Sequence, residues 1–257
     1  MREPFFVVTT GRSGSVSLAL TLSQHPLICA LHEPHEILIR MAWQQLVAEA
    51  NGKAMDGDLV TFFRTIIPRP AGVQMCGVVD QKLVPFIPYL AEAWPGSRFV
   101  WLVRDGQDVV ASGVARGWYA ERSAVSYQRS ANPWERYRWR GDEVGGVREW
   151  AEMGPFERNC WYWWWVNQLI SGQLSAVSEE RWRMVRLEDV GDEKQGGSEL
   201  ELLQEWLGVE AAPMGLIHAN AGPQAVVKLN KAAVWDEEQR ALFDGWCGGM
   251  MAELGYG

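Results

Sequence analysis

Phe5-Phe6-Val7-Val8-Thr9-Thr10-Gly11-Arg12-Ser13-Gly14-Ser15-Val16-Ser17 is the stretch that decides the fold. Its first six residues are aromatic or β-branched and carry no charge, which predicts a strand buried on both faces. Gly11 and Gly14 break the run, and Ser15 to Ser23 reads as a helix. Glycines let a backbone approach an anion closely. The helix start adds unsatisfied N–H groups and the positive end of the helix dipole. Arg12 contributes a charge, and Ser13, Ser15 and Ser17 contribute hydroxyls. Arg12 to Ser17 is therefore a candidate phosphate cradle. It is not the loop of nucleoside triphosphatases, because G-x-x-x-x-G-K-[ST] is absent.

The rest of the chain repeats the alternation of strand and helix. Leu27–Leu31, Cys76–Val79, Arg98–Val103 and Trp182–Leu187 read as further strands. Helices are expected over Pro34–Ala50, Leu59–Ile67, Val84–Ala93, Gln107–Arg116, Trp161–Val177, Leu200–Leu207 and Glu237–Leu254. Continuous apolar strands alternating with helices predict an α/β fold: a P-loop-like three-layer architecture, with a central parallel sheet of about five strands flanked by helices. We expect one domain over 1–257. Its polar, aromatic insertion at about 117–154 interleaves Arg129, Arg136, Arg138 and Arg140 with Trp118, Tyr119, Trp134, Tyr137 and Trp139. An insertion of that length is usually functional, and it reads as an acceptor-side lid.

Composition narrows the partners. The chain has 257 residues and a formal net charge of -8, so a general nucleic-acid surface is not expected. The four cysteines form no CxxC pair, which signals neither a zinc ribbon nor a disulfide framework. No apolar run reaches the roughly 20 residues of a membrane span. A short apolar start that runs straight into a glycine turn is unlike a signal peptide, so a cytoplasmic location is expected. The 15 Trp exceed normal core usage, and some are expected to line a binding surface.

A second phosphate signal lies at Arg104-Asp105-Gly106, with Ser112 eight residues beyond Arg104. A strand-end arginine and a helix serine can clasp a second phosphate. With this motif the sequence resembles the sulfotransferases that use 3′-phosphoadenosine 5′-phosphosulfate (PAPS). That family has a [RK]-S-G-[ST] loop after strand one and an R-D-[PG]-x-x-x-x-x-S motif. Gln24-His25-Pro26 with His32-Glu33-Pro34 is similar to a passage of carbohydrate and bacterial members. Lys82, Trp94-Pro95 and Phe99 to Arg104 are similar to a stretch of the tyrosylprotein members. Arg186-Leu187-Glu188-Asp189-Val190 resembles the end of the family's last strand.

The resemblance implies that Arg12, Ser13, Gly14, Ser15, Val16 and Ser17 hold the 5′-phosphosulfate. Arg104 and Ser112, with Arg116 assisting, would hold the 3′-phosphate, and Lys228 or Lys231 would approach from the C-terminal loop. It implies sulfonate transfer from PAPS to a small-molecule, lipid or saccharide acceptor, without a metal. Catalysis would rest on Arg12 and on Lys82 as charge stabiliser, with Glu33 as general base. His32 stands as the alternative base. Asp80, which ends a strand, is expected to cap the following helix. A P-loop kinase and a non-catalytic nucleotide-binding protein are the rival functions.

Overall fold

Phe5 and Val7 point to one face of the sheet and Phe6 and Val8 to the other, and all four are wholly buried, so their strand must be central. In the computed structural model it is. The structure describes residues 3–55, 57–67, 70–120, 129–191, 196–219 and 234–256. Strands β1 (Phe5–Thr9), β2 (Ile28–His32), β3 (Met75–Val79), β4 (Arg98–Val103) and β5 (Trp182–Arg186) form one sheet in the order β2-β3-β1-β4-β5. Every pairing is parallel. The expected α/β architecture is present.

The helices are α1 (Ser15–Leu22), α2 (Ile37–Ala50), α3 (Leu59–Ile66), α4 (Ile87–Ala93), α5 (Gly106–Ala115), α6 (Pro133–Arg136), α7 (Gly141–Val144), α8 (Pro155–Leu174), α9 (Leu187–Gly191), α10 (Gly196–Leu207) and α11 (Glu237–Glu253). A 3-10 turn, Gln81–Phe86, precedes α4 and takes over the start of the helix expected from Val84. The long aromatic helix begins at Pro155 rather than Trp161, as proline at a first turn loses no hydrogen bond.

The described residues fall into two units. The first comprises 1–34, 58–104 and 170–227 and contains the sheet. On one face of the sheet, Phe5, Val7, Val100 and Leu102 pack with Leu18 and Leu22 of α1 and with Leu200, Leu203 and Leu207 of α10. On the other, Phe6 meets Trp94 and Phe99 at centroid distances of 5.7 and 5.4 Å. The second unit comprises 35–57, 105–169 and 228–257. Its core is aromatic. Trp161 stacks on Trp165 at 5.3 Å and meets Trp150 edge-on at 4.9 Å. The Tyr119 hydroxyl donates to the Trp139 carbonyl. The Arg138 guanidinium lies 4.7 Å from the Trp118 ring centre.

Among the described residues no tryptophan is exposed. Much of the surplus goes into packing, while Trp43, Trp118, Trp134 and Trp165 are among those only half-buried. No described helix is long and apolar enough to cross a membrane.

Candidate active site

The loop after β1 is built from its glycines and its own hydroxyls. Gly11 and Gly14 have φ of 75° and 80°. A Cβ on Gly11 would overlap the Gln81 side chain, and one on Gly14 would lie 2.5 Å from Leu187 Cδ1. The left-handed backbone at both positions thus calls for glycine, and a larger residue would also push Gln81 or Leu187 aside. Thr10 and Ser13 share a 2.9 Å hydroxyl hydrogen bond, and Ser13 Oγ also donates to the Gly11 carbonyl at 3.1 Å. Ser13 is wholly buried and shapes the loop. Its hydroxyl is turned inward, unlike the outward donor that the sequence suggested.

No side chain caps the N-terminus of α1, and no acidic residue occupies its first turn. Its N–H groups are available for an anion, as the cradle reading requires. Val16 is 38% exposed and offers only main chain there. The Ser17 hydroxyl accepts from Ala219 N at 3.1 Å. The Arg104 guanidinium donates to the Arg12 carbonyl at 3.0 Å, which ties the end of β4 to the loop.

The ends of β2 and β3 bring charge to the same place. The amide of Glu33 donates to the Val79 carbonyl, so the two strand ends stay in register to the last residue. The Lys82 ammonium lies 2.8 Å from Asp80 Oδ1 and 3.7 Å from Glu33 Oε2. Lys82 and Asp80 are 2% and 0% exposed, whereas Glu33 is 29% exposed. Asp80 Oδ1 also accepts from the Lys82 amide at 2.8 Å, which is the cap expected of it. Burial pushes the Asp80 carboxyl up to about 6, against the opposing pull of the Lys82 ammonium. On the loop side, His32 Nε2 and Ser15 Oγ are 3.0 Å apart. Burial holds the His32 imidazole below its ordinary value, with Glu33 working in the other direction.

Arg12 and Glu33 have φ of 56° and 44°. Non-glycine residues in this region cost about 1–3 kcal/mol each and concentrate at functional sites. Two of the three such residues among those described are candidates named from sequence.

The structure therefore joins Arg12, Ser15, Glu33, Lys82 and Arg104 around the loop. Ser112 and Arg116 meet in the second unit, where Arg116 Nη1 donates to Ser112 Oγ at 3.2 Å. Lys228 and Lys231 lie outside the described residues. Sequence reasoning missed the ion pair of Lys82 with Asp80 and the contact of Ser15 with His32. The first has a faint signal, a lysine two residues after a strand-end aspartate. The second joins residues 17 apart and has none. His25, by contrast, is structural. Its Nδ1 accepts from Leu27 N at 3.1 Å, so Nε2 carries the proton and donates to the Glu210 carbonyl at 2.9 Å.

No protein of curated function matches the chain. Two solved structures share its fold over nearly its whole length. A sulfotransferase domain from the curacin biosynthetic pathway is 16% identical with a TM-score of 0.57, covering 100% of this chain and 99% of its own. A sulfotransferase from Alicyclobacillus acidocaldarius is 15% identical with a TM-score of 0.56, covering 99% of this chain and 96% of its own. The family model described as the sulfotransferase family matches residues 4–158, more than half of the sequence and all of the elements that build the loop, so the chain belongs to the sulfotransferase family.

Proposed function

We propose that the protein transfers a sulfonate group from PAPS to a hydroxyl or amine of a small-molecule, lipid or saccharide acceptor, with Glu33 as general base. The carrying observation is the position of Glu33. Its strained backbone holds a partly exposed carboxylate 3.7 Å from a buried ammonium, at the strand ends that meet the anion loop.

The residues present fit the donor. Two left-handed glycines, an uncapped helix start and Arg12 suit a terminal phosphosulfate. Arg104, Ser112 and Arg116 are assigned to the 3′-phosphate, and Lys228 or Lys231 to the C-terminal approach. PAPS supplies an activated sulfonate whose leaving group is a phosphate. Lys82 would stabilise the negative charge that the leaving phosphate gains, an effect that is larger for a group out of water. Glu33 takes the proton of the attacking group. The Lys82 ammonium beside it keeps the carboxylate oriented. The segment 117–154 is assigned to the acceptor as a lid within one sulfotransferase domain.

Glu33→Gln keeps the size of the side chain and removes its basicity. Single-turnover transfer should fall about 10²–10⁴-fold, the usual cost of losing a positioned base. The affinity for adenosine 3′,5′-bisphosphate should stay within a few-fold. Near-normal transfer in this variant would remove Glu33 from the role.

A further inference from the structure

Ser15 is the first residue of α1 and His32 the last of β2, and their side chains meet at 3.0 Å. A serine hydroxyl has a single proton. If His32 Nε2 accepts that proton, the hydroxyl has only lone pairs left to present to the loop, and these repel an anion. If Nε2 carries a proton and donates, the Ser15 O–H is free to donate. An anion on the loop therefore selects the second arrangement.

Resting on the reading of this loop as an anion cradle, we propose that His32 is a positioning residue: it donates from Nε2 to Ser15 Oγ and so aims the Ser15 hydroxyl proton at the bound phosphosulfate. Its ring is half-buried, with Glu33, the Lys82 ammonium and, behind that, Asp80 as the charged groups around it. Burial keeps the imidazole neutral at pH 7, where one ring nitrogen carries the only ring proton. This role differs from that of a general base, because His32 then touches Ser15 and not the acceptor. It also accounts for the pair of adjacent residues His32 and Glu33: one serves the donor and the other the acceptor.

The test is a double-mutant cycle on affinity for adenosine 3′,5′-bisphosphate, read by calorimetry. Ser15→Ala should weaken binding about tenfold and His32→Ala about fivefold, as expected for one hydrogen bond. The double variant should be no weaker than Ser15→Ala alone, because His32 acts only through Ser15. His32→Gln, whose amide can donate from a similar position, should recover most of the affinity.

Additive losses in the cycle would overturn the proposal, as would a collapsed kcat with unchanged affinity. A wild type that fails to bind the bisphosphate would sink the donor reading instead. The cycle on inorganic sulfate then decides the present proposal. Independently of any variant, ¹⁵N spectra of the wild type with sulfate bound should show the Nε2–H tautomer of His32. The Nδ1–H tautomer would overturn it.

Discussion

Lys82 keeps its ammonium almost wholly out of water, and it can do so because Asp80 lies 2.8 Å away and is as deeply buried. Removing one partner of such a pair leaves an uncompensated charge. Lys82→Ala should therefore cost about 3–5 kcal/mol in stability, measured by denaturant unfolding. Adding Asp80→Asn should return part of that loss, and no recovery would mean that the lysine stem matters more than its charge. Asp80 also gives a pH signature. Its folded value, about 6, lies above its ordinary 3.8, so the fold takes up the proton before the unfolded chain does. That uptake adds stability as pH falls from about 6 to about 4, and the gain is lost as pH rises through 6. The Tm difference between wild type and Asp80→Asn should shift towards wild type over that interval. An opposite drift would mean that pairing with Lys82 outweighs burial. The types of the site residues could be read from sequence. Their burial and the left-handed φ of Arg12 and Glu33 could not, because no local pattern records either one.

At the scale of the element, the sheet is sized by a pair of facing residues. Phe5 of β1 lies in register with Gly77 of β3. A Cβ on Gly77 would lie 2.3–2.4 Å from the Phe5 ring. Gly77→Ala should therefore cost about 1–3 kcal/mol through overpacking, and Phe5→Leu in the same chain should recover part of it. An unchanged urea midpoint in the single variant would show that the ring moves freely. Strands β1 to β3 were legible as short runs without a charged residue, and β4 as one behind a single arginine, a pattern that a doubly covered sheet requires; β5, with Arg183 and Arg186, shows it less clearly. The helix starts were less so. Asp80 stops β3 and begins a 3-10 turn through Pro85, a detail that apolar periodicity does not encode. Glycine punctuation was legible, yet its cause at Gly14 is Leu187, a residue far along the chain.

For the whole molecule, the proposed donor predicts a linkage effect. Adenosine 3′,5′-bisphosphate at 100 times its Kd should stabilise the fold by about 2.7 kcal/mol, without magnesium. That corresponds to a rise of about 5–11 °C in Tm for a chain of this size, and AMP should give less. No rise would remove the donor assignment. The family could be recognised from two motifs because each is a short, contiguous pattern: a glycine loop after β1, and an arginine at the end of β4 followed by a serine in α5. The acceptor leaves no such pattern, since apolar and aromatic residues serve a core and a pocket equally well. The strand order has one more consequence, for the chain as it is made. β1 is central and pairs only with β3 and β4. From Thr9 to Met75 is 66 residues. At the usual pace of about 5–20 residues per second, the ribosome needs roughly 3–13 s to make them. For those seconds the apolar residues Phe5, Phe6, Val7 and Val8 have no strand to join, which makes the nascent β1 segment a natural client for a chaperone that binds short hydrophobic stretches.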